Sequence, residues 1–332
     1  MKSRALFWVH DPAAPSFRHR LAVHIPALES EGFACEVETF PRRRYGLRVL
    51  ERLARAREFD LLVVAKFKLE IGERQAVRRA AKKIAYDFDD AIYYSKPARP
   101  GDEPGRGARR VRKFRAMCSI TDVVTAGNET LAAAARPFAR RVEVVPTPID
   151  LSSYGQPRRA SNGLRLVWIG LPGNLPYLDI LRGPLATLGA EFPDLSLKVI
   201  SERPPAGVPI PVEFVPWSSS TEAGELAACD IGVMPLSDDG WTRGKGGFKL
   251  LQYMAARLPA VASPVGVNRE IVVQGETGFL APDAAAWETS LRALLRDPGR
   301  AREMGLAGRR RVEERYERSI VSRRLARIYG SL

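Results

Sequence analysis

Short apolar runs alternate with longer amphipathic stretches along the first half of the chain. Apolar runs of this length, bounded by polar and turn-forming residues, are typical of buried β-strands. The predicted strands are residues 5–9, 34–39, 61–65, 84–88, 122–125 and 142–145. Amphipathic segments between them, such as 16–31 and the stripe containing Leu47, Leu50 and Leu53, predict helices. Alternating strands and helices predict a parallel sheet covered by helices.

A second alternation follows a stretch, residues 151–163, that is rich in Ser, Gly, Arg and Pro and reads as a linker. Its predicted strands are residues 166–169, 197–200, 212–215, 231–234 and 260–262, with helices at 219–228 and 248–256. The pattern therefore predicts an α/β protein with two doubly wound parallel-sheet domains. The N-terminal domain covers 1–150, the C-terminal domain covers 164–315, and a final helix, 316–332, is able to pack back on the first domain.

Composition excludes several classes of protein. Hydrophobic residues make up 45% and charged residues 27%, which argues against a disordered chain. No apolar stretch approaches the length of a membrane span, and the N-terminus lacks the pattern of a signal peptide, so we expect a cytoplasmic protein. Cys35, Cys118 and Cys229 are too scattered for a disulfide framework or a zinc site, and most simply pack as small apolar residues.

The net charge of +14 can attract phosphates, nucleic acid or an anionic membrane surface. The larger part of the excess lies in residues 1–150. Arg42, Arg43 and Arg44, with the amphipathic segment after them, fit either a membrane-facing surface or a solvated helix face. The basic segment 95–113 fits a mobile surface loop, a lid or a lipid-phosphate contact. No nucleic-acid recognition motif accompanies the charge, so we expect no nucleic-acid partner.

Residues 234–280 carry the most specific chemistry. Gly246 and Gly247 lead directly into a helix that begins near Phe248. Glycines let the backbone approach a ligand closely, and the first turn of a helix offers free N–H groups and a positive dipole end. Arg243, Lys245 and Lys249 add cations around this point, and Gln252 shares a helix face with Lys249. The pattern fits a diphosphate cradle, or an ordinary amphipathic helix with a Gly-Gly turn.

The segment from Phe248 to Phe279 strongly resembles retaining glycosyltransferases of family 4, whose GT-B fold consists of two Rossmann-like domains facing across a cleft. The resemblance rests on KLLQYMAARLPAVASPVGVNREIV, on GETGFLA, and on Val167-Trp-Ile-Gly170 as the first strand and glycine of the donor domain. Tyr86-Asp-Phe-Asp-Asp90 and Ala126-Gly-Asn128 resemble a bacterial subgroup. The similarity covers most of the chain and is specific mainly after residue 165.

The resemblance implies a nucleotide-diphosphate sugar donor, bound by the C-terminal domain. Its implied donor-binding residues are Gly170, Trp217, Arg243, Lys245, Gly246, Gly247, Phe248, Lys249 and Gln252. Arg243 and Lys245 would also act catalytically on the charge of the leaving diphosphate. Trp217 lies where the base usually packs, and a partly buried core aromatic is an equal alternative.

The implied reaction retains the anomeric configuration and needs no metal or other cofactor. The acceptor would be a hydroxyl of a glycan, a lipid-linked glycan or a small molecule, in cell-envelope or natural-product assembly. An anionic membrane surface is a further possible partner.

This sequence departs from the family pattern at two places. Many members carry two glutamates eight positions apart, where this chain has Gly244 and Gln252. Many also carry Arg and Lys after the glycine equivalent to Gly170, where this chain has Leu171-Pro-Gly-Asn174. Arg243, Lys245 and Lys249 are candidate replacements for those cations. The departures leave two alternatives open: a weakened or inactive GT-B scaffold that acts as a binding protein, and a sugar epimerase of the same fold.

The acceptor side is predicted in the N-terminal domain. Asp87, Asp89 and Asp90 end a buried strand, where a ligand cleft is expected. Three readings stay open for them: a metal site, a structural or helix-capping role, and acceptor positioning, with Asp89 as the best single candidate for a catalytic base. Arg18 opens the helix after the first strand and is a candidate contact to donor or acceptor phosphate. His10 is a candidate base, whereas His19 and His24 show no local partner.

Overall fold

The computed structural model describes residues 3–40, 46–97, 99–105, 107–155 and 164–332. The arginine run 42–44 and most of the predicted linker, 156–163, lie outside the described residues. None of the helices in the described part of the chain is both long and apolar enough to cross a bilayer.

The N-terminal domain is built on a six-stranded parallel sheet with the order β2-β1-β3-β4-β5-β6. Its strands are β1 (Ser3–Val9), β2 (Phe33–Thr39), β3 (Leu61–Ala65), β4 (Lys83–Phe88), β5 (Val123–Ala126) and β6 (Val142–Val144). The strand order reverses between β1 and β3. Ligands of open parallel sheets bind beyond the carboxyl ends of strands at such a reversal, which here lie at Val9, Ala65 and Phe88.

The C-terminal domain repeats this plan with the order β12-β11-β10-β7-β8-β9. Its strands are β7 (Arg165–Ile169), β8 (Ser196–Ser201), β9 (Val212–Pro216), β10 (Ile231–Met234), β11 (Ala260–Ala262) and β12 (Gly278–Leu280). The predicted doubly wound α/β class is confirmed. The edge strand β12 was not predicted, because three residues starting at a glycine carry too little pattern. A Cβ on Gly278 would lie 2.0 Å from the Ala260 carbonyl oxygen, so the pairing itself requires glycine there.

Helices cover both sheets. They are α1 (Pro15–Arg18), α2 (Ile25–Ser30), α3 (Gly46–Arg57), α4 (Ile71–Ala80), α5 (Ala108–Ile120), α6 (Glu129–Ala135), α7 (Arg182–Glu191), α8 (Glu222–Ala227), α9 (Phe248–Ala255), α10 (Asn268–Ile271), α11 (Ala284–Arg296), α12 (Pro298–Arg315) and α13 (Arg318–Gly330). Further 3-10 turns lie at Ala22–His24, Leu151–Tyr154, Pro172–Leu181 and Thr242–Gly244.

Two helical predictions differ from the structure. The single helix predicted over 16–31 is split into α1, a 3-10 turn and α2, and Pro26, which lacks an N–H, stands in the first turn of α2. The loop predicted over 95–113 ends earlier, because α5 begins at Ala108. The arginines of α5 face solvent while its Phe114 and Met117 are buried. The basic residues from Ala108 onward therefore belong to an amphipathic helix.

The last helix crosses back to the first domain. Val321, Leu325 and Ile328 of α13 are buried in the core that also holds Phe7 and Val63 of the N-terminal sheet. The chain therefore runs from the first domain to the second and returns, so α13 ties the two domains together.

A buried histidine lies beneath α13. His24 is fully buried, its Nδ1 lies 2.7 Å from the Ser322 hydroxyl, and burial, reinforced by the charge of Arg20, lowers its pKa to about 3. His24 is therefore neutral in the folded protein at pH 5, whereas the unfolded chain takes up a proton below the ordinary value of 6.5.

Stability should therefore fall as the pH drops from 6.5 towards 3. At about 1.4 kcal/mol per pKa unit, the histidine contributes a loss of about 2 kcal/mol between pH 7 and pH 5. Urea unfolding of the wild type and of His24→Gln at the two pH values measures it. Equal losses in both proteins would show that His24 is protonated in the folded state.

Candidate functional site

A cavity of about 240 Å³ opens in the cleft between the domains, beyond the ends of β7 and β9. It is lined from the C-terminal domain by Ile169, Gly170, Leu171, Asn174, Glu202, Trp217, Glu222, Phe248, Lys249 and Gln252, and from the N-terminal domain by His19. Five of the nine predicted donor-binding residues are therefore in its wall: Gly170, Trp217, Phe248, Lys249 and Gln252.

The helix α9 begins at the wall of this cavity. Gly247, which precedes it, has φ +68°, and a Cβ there would lie 2.4 Å from Ile271 Cδ1 and 3.0 Å from Val267 Cγ1. Both constraints select glycine. Among the described residues, no side chain caps the first turn of α9; the Leu250 N–H donates to the Gly247 carbonyl oxygen at 2.9 Å, and the N–H groups of Phe248 and Lys249 remain available to a ligand. At Gly246 the space for a Cβ is nearly open, with Thr147 Oγ1 at 3.6 Å.

Lys249 lies across the floor of the cavity. Its ammonium group is 3.9 Å from the centroid of the Trp168 ring and would be 2.6 Å from a Cβ on Gly170, so this glycine makes room for the lysine. Among the described residues, no carboxylate pairs with it. Burial, with a smaller contribution from Lys245, holds the pKa of Lys249 well below its ordinary value. A desolvated cation without a counterion is well prepared to bind an anion.

Lys245 approaches the same loop from the other side. Its Nζ donates to Asn174 Oδ1 at 3.2 Å, and burial, together with the charge of Lys96, lowers its pKa although Asp90 and Asp239 oppose the shift. Both lysines thus reach the Gly170–Asn174 loop, where the family pattern has its own Arg and Lys.

Arg243 is turned away from this pair. Its Nε donates to Asp238 Oδ1 at 2.6 Å, and about half of its side chain is exposed. Arg243 is not among the residues that line the cavity. In the conformation described, its charge is shared with Asp238 rather than aimed at the Gly170–Asn174 loop.

Gln252 belongs to a hydrogen-bonded group that sequence patterns did not reveal. It is buried, and its Nε2 donates to Glu222 Oε1 at 3.3 Å. The Tyr154 hydroxyl contacts the same oxygen at 3.4 Å, and the Trp217 indole N–H donates to Glu222 Oε2 at 2.7 Å. Position 252 therefore lacks the glutamate of the family pattern, but a carboxylate from α8 is held beside it.

The N-terminal domain covers the mouth of the cavity. The His19 ring packs on Phe248 with centroids 5.0 Å apart, and Arg18 lies over the Trp217 ring at 6.0 Å. His19 has a lowered pKa, chiefly because it is largely buried. Arg18, predicted on the acceptor side, thus lies against Trp217 in the wall of the interdomain cavity.

The three clustered aspartates do not converge. Asp87 is buried, Arg20 donates to both of its oxygens at 3.1 and 2.9 Å, and Thr125 Oγ1 donates to Oδ2 at 2.7 Å. Its oxygens are thus used in joining β4, β5 and the turn before α2, which favours the structural alternative for this residue. Removing either Arg20 or Asp87 would leave the other charge buried without a partner, which destabilises the folded protein.

Asp89 and Asp90 share a different cation. Both lie within ion-pair distance of Lys66 Nζ, with Asp90 Oδ2 at 2.7 Å. Lys66 follows β3 and has φ +62°. Burial raises the pKa of Asp89, and Lys66 partly opposes this. Lys66, Asp87 and Arg20 also line a second cavity of about 150 Å³, together with His10 and Ser16 of the N-terminal domain.

Glu222, Tyr154, Asn174, His19 and Lys66 were missed as site residues. Each reaches the cleft from a different element, and nothing in the immediate neighbourhood of Tyr154, Asn174, His19 or Lys66 marks a site. The short spacing of Trp217 and Glu222, joined by an indole-to-carboxylate hydrogen bond, was the one local signal available.

Two Rossmann-like parallel-sheet domains that face each other across a cleft make up the GT-B fold. Residues 191–297 match the family model described as Glycosyl transferases group 1. Among solved structures, sucrose-phosphate synthase from Thermosynechococcus elongatus superposes with a TM-score of 0.72 at 16% identity, covering 100% of this chain and 99% of that one. The Anabaena protein Alr3699/HepE in complex with UDP and glucose gives a TM-score of 0.74 at 14% identity, covering 99% of this chain and all of that one.

Curated relatives agree. The D-inositol 3-phosphate glycosyltransferase of Nocardia farcinica is 26% identical over 246 residues, 71% of this chain and 50% of its own length. The alpha-maltose-1-phosphate synthase of Mycolicibacterium smegmatis is 39% identical over 87 residues, 24% of this chain and 22% of its own. The matched stretch thus spans half or less of these relatives. The resemblance is confirmed: the chain has the GT-B fold and is similar to glycosyltransferases of the family-4 kind.

Proposed function

We propose that the protein transfers a sugar from a nucleoside-diphosphate donor to an acceptor hydroxyl, with retention of configuration. The observation that carries the proposal is a pair of desolvated lysines near the start of α9: Lys249 lines the interdomain cavity, and Lys245 donates to Asn174 in its wall. Phosphate groups bind at helix starts and to lysines, and this pair has no carboxylate partner among the described residues. Similar structures that contain UDP or UDP-glucose, and a GDP-mannose-dependent mannosyltransferase of similar sequence, support a donor of this class.

In this proposal the diphosphate lies across the Gly170 turn. Charge that develops on the leaving diphosphate would be stabilised by Lys245, Lys249 and the first-turn amides of α9. These groups are in place before the reaction, so little reorganisation is needed. The proposal assigns no role to a metal ion or cofactor. Retention follows the family pattern, with the departing phosphate oxygen on the same face as the incoming hydroxyl.

The nucleoside would lie against Trp217, with its ribose near Glu222 and Gln252. Three donors hold the Glu222 carboxylate, each oxygen of which accepts about two hydrogen bonds, so it retains acceptor capacity for ribose hydroxyls. Glu222 would then supply the carboxylate that position 252 lacks. This weakens the case for an inactive scaffold, which rested on the missing glutamate.

Glu222→Gln should weaken nucleoside-diphosphate binding about tenfold, since a hydrogen bond to a charged group contributes about 1.5–3 kcal/mol. Inorganic diphosphate, which has no ribose, should bind equally well to both proteins. The difference should also shrink with a 2′-deoxynucleoside diphosphate. Calorimetry with the three ligands measures this, and an equal loss for all three would place Glu222 outside ribose recognition.

A thermal-shift screen against UDP-, GDP- and ADP-sugars tests the proposal as a whole, because a ligand bound by the folded state raises the melting temperature. Donors that stabilise the protein are then incubated with glycan, inositol-based and small hydroxyl acceptors, and the anomeric configuration is read by NMR. Stabilisation without any transfer would favour a binding scaffold. Interconversion of the free nucleotide sugar would favour an epimerase. Absence of any stabilisation would overturn the donor site.

A further inference from the structure

The turn Ala126–Asn128 joins β5 to α6 in the N-terminal domain, yet it contacts both sides of the cleft. Gly127 lies against the acceptor-side carboxylate segment: a Cβ on it would be 3.0 Å from Asp89 Cα and 3.1 Å from Asp89 Cβ. The Gly127 N–H also donates to the Phe88 carbonyl oxygen at 2.9 Å. Any side chain at this position would therefore displace Asp89.

The next residue reaches the other domain. Asn128 is 2% exposed, and its Nδ2 donates to the carbonyl oxygens of Gly244 and Lys245, each at 3.1 Å. Its Oδ1 accepts from the Leu131 N–H at 3.0 Å and caps α6. The amide orientation is determined by these partners, because the carbonyl oxygens accept only from N–H and the Leu131 amide donates only to oxygen. A single side chain thus caps a helix and holds the loop that carries Lys245.

Apolar contacts surround these hydrogen bonds. A Cβ on Gly244 would lie 2.7 Å from Ala91 Cβ and 3.1 Å from Leu131 Cδ2. At this point the backbone of the second domain therefore contacts side chains of the first domain. Trp241 packs on the N-terminal core from the same loop. Ala91 follows Asp89 and Asp90 directly. Position 244 is therefore glycine because the N-terminal domain occupies the space that a glutamate would need.

We propose that Asn128 is a positioning residue: it fixes the loop 242–247 against the N-terminal domain and so sets the geometry between Asp89 and Lys245. The effect on the rate of transfer rests on the function proposed above. The structural consequence, a loop held by the other domain, stands independently. The Asn128 amide satisfies two buried carbonyl oxygens at once, and its removal leaves both without a donor. We therefore expect the loop 242–247 to move away from the N-terminal domain.

The test separates the hydrogen bonds to the loop from the helix cap. Asn128→Asp keeps an oxygen that caps α6 but replaces the two N–H donors by acceptors facing carbonyl oxygens. Asn128→Ser also keeps a capping oxygen, without the reach to the loop. Asp283→Ala, which removes a cap of the same kind from α11, is the matched control for loss of a cap alone.

We expect hydrogen exchange of the amides of residues 242–247 to rise about tenfold or more in both Asn128 variants and to stay unchanged in Asp283→Ala. The kcat of transfer should fall about tenfold, since a misplaced reacting group loses the benefit of orientation. The dissociation constant of a nucleoside diphosphate should rise less than in the variant that lacks both Lys245 and Lys249, because Lys249 lies on α9 outside this loop and keeps its position.

Gly244→Ala perturbs the same contact from the other side and should give the same profile, partly rescued by Ala91→Gly. Unchanged exchange in the 242–247 amides would overturn the proposal whatever the kinetics. Raised exchange with unchanged kcat would show that the contact exists but does not position the reacting groups, and it would also overturn it. If no transfer is found for the wild type, the proposed function fails, and the exchange measurement still decides whether Asn128 holds the loop.

Discussion

Replacement of Lys245 and Lys249 together by alanine weakens nucleoside-diphosphate binding at least about tenfold, or by about 1.4 kcal/mol or more. The two ammonium groups reach the Gly170–Asn174 loop from opposite sides, at Trp168 and at Asn174. Charge-assisted hydrogen bonds to a diphosphate are among the stronger polar interactions, and both would be lost. Calorimetry with a nucleoside diphosphate and with inorganic diphosphate should show the loss for both ligands, in contrast to Glu222→Gln.

The matched control is Lys82→Ala, which removes an exposed lysine that pairs with Asp60 at 2.8 Å in the first domain. Its effect on binding should be negligible, because exposed ion pairs contribute little and the lysine lies outside the cavity. Equal affinity in the double variant and in the control would remove the phosphate-cradle assignment.

The same titration should show proton uptake. Burial lowers the pKa of both lysines in the free protein, whereas a bound diphosphate favours their charged forms. Binding therefore raises both pKa values, and above the pKa of the free groups the complex takes up protons from the buffer. The observed heat should depend on the ionisation enthalpy of the buffer for the wild type and much less for the double variant. A buffer-independent heat in the wild type would contradict this account of the lysines.

The sequence predicts the fold better than it predicts the site, for a physical reason. Strands and helices show in local periodicity, and eleven of the twelve strands were found because each carries its own apolar run. The start of α9, which borders the cavity, is equally local, since Gly247, Phe248 and Lys249 are consecutive. Glu222 is not local: it meets Gln252 across 30 positions, through packing that no short window contains.

Neighbouring residues of one motif can also have different roles. Asp87, Asp89 and Asp90 were predicted as one cluster at the end of a buried strand. Asp87 lies within β4 and pairs with Arg20, whereas Asp89 lies beyond the end of the strand and pairs with Lys66. The departure at Gly244 likewise depends on Ala91, a contact between domains. The roles of Asp87, Asp89 and Gly244 are therefore set by their contacts in the folded protein and not by the sequence motif in which they occur.

Asp89→Asn should lower the kcat of transfer about hundredfold or more while leaving donor binding within about twofold, because a positioned base contributes about 10²–10⁴ in rate. Asparagine keeps the shape of the side chain and removes its charge, and Asp89 lies in the N-terminal half of the cleft, away from the donor cavity. Steady-state kinetics and nucleoside-diphosphate calorimetry measure the two effects separately. Equal loss of transfer and donor binding would move Asp89 out of the acceptor role.

Lys66 supplies the sharper discrimination. Asp89 could matter only because it neutralises this buried lysine, which also pairs with Asp90. In that case Lys66→Met, which removes the buried charge, should restore activity to the Asp89→Asn variant, and Asp90→Asn should be as damaging as Asp89→Asn. If Asp89 acts on the acceptor hydroxyl itself, the double variant stays inactive and Asp90→Asn is the milder change. Thermal unfolding of all three variants distinguishes a folding defect from either outcome, because a buried charge without a partner lowers the melting temperature whereas loss of a base does not.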